Sequence, residues 1–139
     1  MNKVIGVKVP VWFRLLAVLG LAWNGYGVYM YLLSVGMIGH AAPTAVPPAM
    51  PAWVIGTFAV AVFAGLVGSL LMVFGSRRAC PLLVLSLLAV IVQTVWVAFI
   101  SNARAVEGMK ALIMPGVITA VALVLVLVAA NGAAKNWLD

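Results

Sequence analysis

The sequence predicts an all-α protein: an integral membrane four-helix bundle with antiparallel spans, both termini on the cytoplasmic side. Apolar side chains make up 67% of the 139 residues and charged ones 7%, where a soluble domain holds about half and about a quarter. Mean hydropathy is +1.28, so the charged side chains are too few to clothe a water-facing surface. The apolar residues also fall into continuous runs at 11–33, 52–74, 79–100 and 111–130. Each run matches the roughly 20 residues that a helix needs to cross a hydrocarbon core. Continuity rather than alternation favours helices over barrel strands. The chain reads as a single membrane domain.

The first span carries Arg14 at its mouth and the stretch "LAWNGYGVYMYL" at 21–32. Its apolar run exceeds the roughly 7–15 residues of a signal-peptide core, so it reads as a retained span. Gly20, Asn24, Gly27 and Tyr31 follow at helical spacings and share one face. Trp23, Tyr26 and Met30 form the neighbouring stripe. An amide left bare in hydrocarbon costs several kcal/mol, so Asn24 is expected to face protein or a cavity.

The connection at 34–51 has four prolines and no charge. Proline density disfavours a helix across its second half, and the segment reads as an extracytoplasmic strap over the bundle or as a disordered loop. His40 lies in it as a solvated side chain. The second span contains "AVFAGLVGS" at 61–69, in which Ala61, Gly65 and Ser69 repeat every four residues beside Ala64 and Gly68. Such a small-residue ridge lets another helix approach closely. An internal contact and a homo-oligomer seam are both open from sequence.

"GSRRACP" at 75–81 is a tight turn, with Pro81 in the first turn of span three. Arg77 and Arg78 set topology and are placed to meet anionic headgroups. Span three holds Ser86, Gln93 and Trp96. Spans one and three both start at the cytoplasmic side, and Asn24 lies 13 residues into its span and Gln93 14 into its own, which puts the two amides within a turn in height. A direct hydrogen bond or a shared water between them is expected, with Thr119 of span four close in height. These residues, together with Trp23 and Tyr26, form either interhelical polar contacts or an aromatic-lined pocket. "SNARAVEGMK" at 101–110 reads as a short polar connection, and Pro115 falls in the first turn of span four.

Orientation follows from the basic residues. Lys3, Lys8, Arg14, Arg77, Arg78 and Lys135 fall on one side, against Arg104 and Lys110 on the other. The positive-inside rule then gives a multi-pass protein with N-in/C-in topology. Trp12, Trp53 and Trp137 lie near span ends, where indoles favour the headgroup layer.

The composition also narrows function. The net charge of +6 is distributed at span ends without a polar-interleaved basic cluster, so lipid, not nucleic acid, is the expected partner of the cations. Cys80 is the single cysteine and His40 the single histidine, so no intrachain disulfide, bis-histidine haem or Cys/His metal site is expected, and no cofactor. No Asp or Glu lies within a span, which weighs against a proton-coupled pump. No nucleophile–base pair is visible, so the protein is not expected to be an enzyme.

The stretches "WNGYG", "PAW", "GLVGSLLMVFGSRRACPLLVLSLLAVIVQ" and "MPG" together resemble a family of small four-transmembrane-helix bacterial inner-membrane proteins of unknown function, some of which carry the label "sugar transporter". The resemblance implies the fold and the bacterial inner membrane, and little about activity. The first loop departs from the family pattern: here it is uncharged and proline-rich, where the family's is longer and acidic. Two functional readings follow. One is a non-catalytic accessory subunit of a larger membrane complex, or a homo-oligomeric scaffold, working through helix packing. The alternative is a small-solute transporter or channel, dimeric, with a mid-membrane polar and aromatic pocket.

Overall fold

The computed structural model describes residues 8–39 and 50–139. His40 and most of the proline strap lie outside the described residues. Helix α1 spans Val11–Ser34, α2 Ala52–Val73 and α3 Ala79–Val95. A π-helical turn, Trp96–Ile100, prolongs α3, a short helix α4 covers Ala103–Glu107, a 3-10 turn follows at Gly108–Leu112, and α5 runs Ile113–Ala134. Four helical stretches are long and apolar enough to cross a membrane. The chain is an all-α, multi-pass membrane protein with antiparallel neighbours, and among the described residues there is no strand.

Two boundaries differ from the sequence reading. The third connection is not a plain polar turn. Ala103–Glu107 is a helix, because Ala, Arg and Glu are good helix formers, and Gly108 ends it at φ +65°. The last span starts at Ile113 and continues to Ala134 rather than 130. Pro115 stands in its first turn, where the missing N–H has no partner to lose.

Helix ends are defined by local chemistry. Pro10 and Pro51 precede α1 and α2 with φ near −60° and extended ψ. Three helices stop in the same way, with a left-handed residue after the cap: Gly36, Gly75 and Asn136. In each, the amide of that residue and the one after it close on the last turn. Gly36 and Met37 donate to Leu33 and Leu32, Gly75 and Ser76 to Met72 and Leu71, Asn136 and Trp137 to Ala133 and Gly132. This is the Schellman arrangement, and it satisfies carbonyls that a helix end otherwise leaves bare.

The helices follow one another around an arc. α2 packs most extensively on α3 and then on α1, α5 packs on α3, and α1 meets α5 sparsely. The core is concentrated at the termini end, which holds the start of α1 and the C-terminal tail. There Phe13 and Ala17 of α1, Met72 of α2, Leu83 of α3, Leu125 and Ala129 of α5, and Leu138 of the tail form one buried cluster. A second, smaller cluster joins Ala61, Ala89 and Val90 across α2 and α3. At the termini end Trp137 lies edge-on to both Trp12 and Phe13, with centroids 5.5 and 5.4 Å apart.

Candidate functional site: a side-opening cavity between the first and last spans

The face of α1 that carries Asn24 turns inward along its whole length. Gly20 and Asn24 are buried, a Cβ on Gly27 would sit 3.1 Å from Val62, and Tyr31 packs edge-on against Phe58 and Phe63 at 5.5 and 5.8 Å. Asn24 Nδ2 donates to the Gly20 carbonyl at 2.9 Å and to Ser69 Oγ of α2 at 3.1 Å. The amide therefore meets protein and not acyl chains.

The small-residue ridge makes that contact possible. A Cβ on Gly65 would overlap the Asn24 carboxamide oxygen, and would lie 3.0 Å from Ser86 Oγ of α3. A Cβ on Gly68 would come within 2.9 Å of Leu83 Cγ and 3.2 Å of the Leu83 backbone nitrogen. Ser86 Oγ donates to the Ala61 carbonyl at 2.6 Å. Ala61, Ala64, Gly65, Gly68 and Ser69 are all buried. The ridge thus serves both flanks of α2 within one chain, and the homo-oligomer seam that the sequence left open is closed off by α1 and α3.

The expected Asn24–Gln93 bond is not made. Asn24 and Ser86 meet at Gly65, so Asn24, 13 residues into α1, is level with a residue only 7 into α3. α1 begins about 9 Å farther out than α3 at a rise of about 1.5 Å per residue. Gln93 follows Ser86 by seven residues, about 10 Å along α3. Counting from span starts assumed level starts, and that assumption failed. Thr119 is not in the polar group either. Its hydroxyl lies 3.0 Å from that of Thr94 on α3 and 2.8 Å from the Pro115 carbonyl. The two threonines have two hydrogens for three such contacts, so α5 is joined to α3 when one of them turns from its own helix carbonyl to the other hydroxyl. Thr94 was not singled out from sequence; it lies four residues after Val90, whose carbonyl it bonds, a back-bond any threonine in a helix can make.

Asn24 and Gln93 nonetheless share a wall. A cavity of about 260 Å³ lies between α1 and α5, floored by α2 and α3, with Trp23, Asn24, Tyr26, Ser86, Gln93 and Ile118 among its lining. Gly20 approaches Leu125, and Gly132 approaches Phe13, with hypothetical Cβ contacts of 2.6 Å each. Those contacts zip α1 to α5 toward the termini. Beyond Leu125, α1 and α5 are separated by the cavity, with Trp23, Gly27 and Met30 on one flank and Met114, Ile118 and Ala122 on the other. The opening therefore faces the lipid laterally, and the termini-end core closes it below. Tyr26 is 60% exposed and Trp23 36%, so they form the rim.

The Ser69 hydroxyl and Asn24 amide form one α1–α2 unit, which a double-mutant cycle can isolate. With Asn24→Leu and Ser69→Ala, the coupling energy in detergent unfolding is expected near 0.6 kcal/mol and below about 1.7, the range known for hydrogen bonds between membrane helices. Additive single effects would show that the bond contributes nothing.

The basic residues do different things. Arg77 Nε donates to the Leu138 carbonyl at 3.0 Å, and its Nη2 to the Ala133 carbonyl at 3.0 Å and Asn136 Oδ1 at 2.9 Å. Arg77 thus ties the α2–α3 turn to the C-terminal tail while remaining exposed. Arg14 and Arg78 are exposed. Among the described residues no three His, Cys, Asp or Glu side chains come together as metal ligands. Comparison with known proteins finds no matching family model, no matching curated protein and no matching solved structure. The likeness to small bacterial four-span proteins rests on the quoted motifs alone.

Proposed function

We propose that the chain is a non-catalytic accessory subunit that binds another membrane protein side by side, in the bacterial inner membrane with both termini in the cytoplasm. One observation carries this: the ridge suited to close helix contact is used up inside the chain, while Tyr26 and Tyr29 of α1 are left outward. Tyr26 and Tyr29 are 60% and 51% exposed, with rings 6.4 Å apart. Neither phenol has a hydrogen-bond partner among the described residues. Tyr26 lies 15 residues into α1, about 22 Å along the helix, where a hydroxyl in hydrocarbon gains from a protein acceptor. The topology is supported by the shared end: the tail packs against the start of α1, and six of the eight Lys and Arg belong to that end by sequence.

Mild-detergent extraction from native membranes and mass measurement test the reading. The expected result is a complex with a larger partner that is lost in Tyr26→Ala/Tyr29→Ala while the chain stays folded. A monomer in native extracts would overturn it. The transporter reading draws support from the cavity. Against a path through the chain stands the termini-end core, in which Phe13, Met72 and Leu138 are each at most 2% exposed.

A further inference from the structure

The cavity between α1 and α5 has a polar group that the fold does not use. Asn24 is 9% exposed, and both of its protein bonds run through Nδ2. Among the described residues no buried side-chain nitrogen or oxygen lacks a partner. The unpaired Oδ1 packs against Gly65 beside Ser86 and keeps some accessible surface, and Asn24 and Ser86 both line the cavity. A carboxamide oxygen accepts and does not donate. Ser86 beside it gives its hydroxyl hydrogen to Ala61 and likewise retains only acceptor capacity toward the cavity. The deep end of the site thus calls for a donor.

The rest of the lining fixes the charge and the body of the guest. No Lys, Arg, Asp, Glu or His lines the cavity. An ammonium would find no anion and a carboxylate no cation, and either would be taken out of water for nothing. A neutral donor remains, and the commonest one on an apolar body is a hydroxyl. The walls are Trp23, Phe58, Met30, Met114 and Ile118: rings and flexible thioethers that mould around an apolar shape. Gln93 stands about 10 Å above Ser86 on the same wall, without a hydrogen-bond partner among the described residues. It marks the upper end of the guest. The volume, about 260 Å³, exceeds the roughly 150 Å³ that holds a benzene, so a ring with a short tail or a chain of similar bulk fits. Entry is sideways from the bilayer, because α1 and α5 part there.

The geometry points to a binding site for a neutral, hydroxyl-bearing apolar molecule, its O–H donated to Asn24 Oδ1 and its body held between α1 and α5. A phenol and an aliphatic alcohol present the same donor, and either can come from the membrane. Tyr26 belongs both to the rim of this site and to the partner contact proposed on α1, and a change on α5, opposite that contact, separates the two.

The test uses the full chain in lipid nanodiscs, with empty nanodiscs as the measure of simple partitioning. Tritiated 4-heptylphenol is expected to bind saturably at one per chain. 4-Heptylanisole, which has the same body without the donor, is expected to compete at least tenfold less well. Unlabelled 1-decanol is the second arm. Competition by it assigns the hydroxyl class as a whole, and failure to compete confines the class to phenols. Ala122→Trp, which fills the cavity from α5 without touching the Asn24 bonds, should abolish saturable binding, and Gln93→Leu should weaken it severalfold. Equal competition by the anisole, undiminished binding to a folded Ala122→Trp protein, or no binding above empty discs would each overturn the assignment. The anisole comparison is made on the unaltered chain, so it stands even where a variant fails to fold.

Discussion

Gly65→Ala destabilises this protein by about 1–3 kcal/mol, although helix propensity alone assigns the change a gain of about 0.5–1 kcal/mol. The sign is the point of the experiment. A methyl group on Gly65 overlaps the Asn24 amide and crowds Ser86 Oγ at 3.0 Å. The amide is the end of a short side chain, but it is held by Gly20 and Ser69 and is nine-tenths buried. It can move only by giving up the α1–α2 hydrogen bond or by pushing α1 away. Gly56 and Gly116 provide the controls, since a Cβ at either meets nothing within 4 Å. Gly56→Ala and Gly116→Ala should leave stability unchanged or slightly raised. Denaturant unfolding in one detergent, followed by tryptophan fluorescence, measures all three. If Gly65→Ala matches the two controls, α2 does not meet α1 through this glycine. Gly68→Ala is expected to resemble Gly65→Ala, because its methyl would press on the Leu83 backbone.

Much of this was legible in the sequence, and the failures share a cause. The helices were visible because hydrocarbon demands long apolar runs. The inward turn of Asn24 was visible because a bare amide is too expensive in lipid. The ridge at Ala61, Gly65 and Ser69 was visible from its four-residue repeat, and the structure decides its use: both flanks are covered within the chain. Relative height was not visible. A span's first apolar residue says where hydropathy changes, whereas the axial offset between helices is set by which knobs meet which small residues. Here the meeting of Asn24 and Ser86 at Gly65 fixes it, and Gln93 is left about 10 Å away. The role of Arg77 was hidden for a related reason. A cation at a span end satisfies the topology rule whatever its side chain touches, so the sequence offered no signal that it reaches a tail about 60 residues downstream, as the contacts to Ala133, Asn136 and Leu138 show.

Leu138→Ala is expected to remove about 2–4 kcal/mol, the largest effect of any substitution outside the spans. The tail turns back under the bundle after Asn136, which takes the left-handed conformation at φ 57°. It then pairs with the α2–α3 turn: Asp139 N donates to the Gly75 carbonyl at 2.6 Å, and Arg77 N to the Asp139 carbonyl at 2.7 Å. Those bonds deliver Leu138, 1% exposed, into the cluster with Phe13 and Met72. Unlike a lipid-facing leucine, it has no acyl chain to replace the contacts it loses, so truncation leaves a void. The arginines give a graded companion result. Arg77→Lys keeps the charge and loses the planar fork that serves Leu138 and Asn136 together. Because Arg77 is exposed and its acceptors are neutral, the loss should be about 1 kcal/mol or less. Arg78→Lys should be silent. A topology-only role for both arginines predicts no change in either. Thermal unfolding of the three variants therefore orders them Leu138→Ala, Arg77→Lys, Arg78→Lys, and a silent Leu138→Ala would mean that the tail does not close the termini end of the bundle.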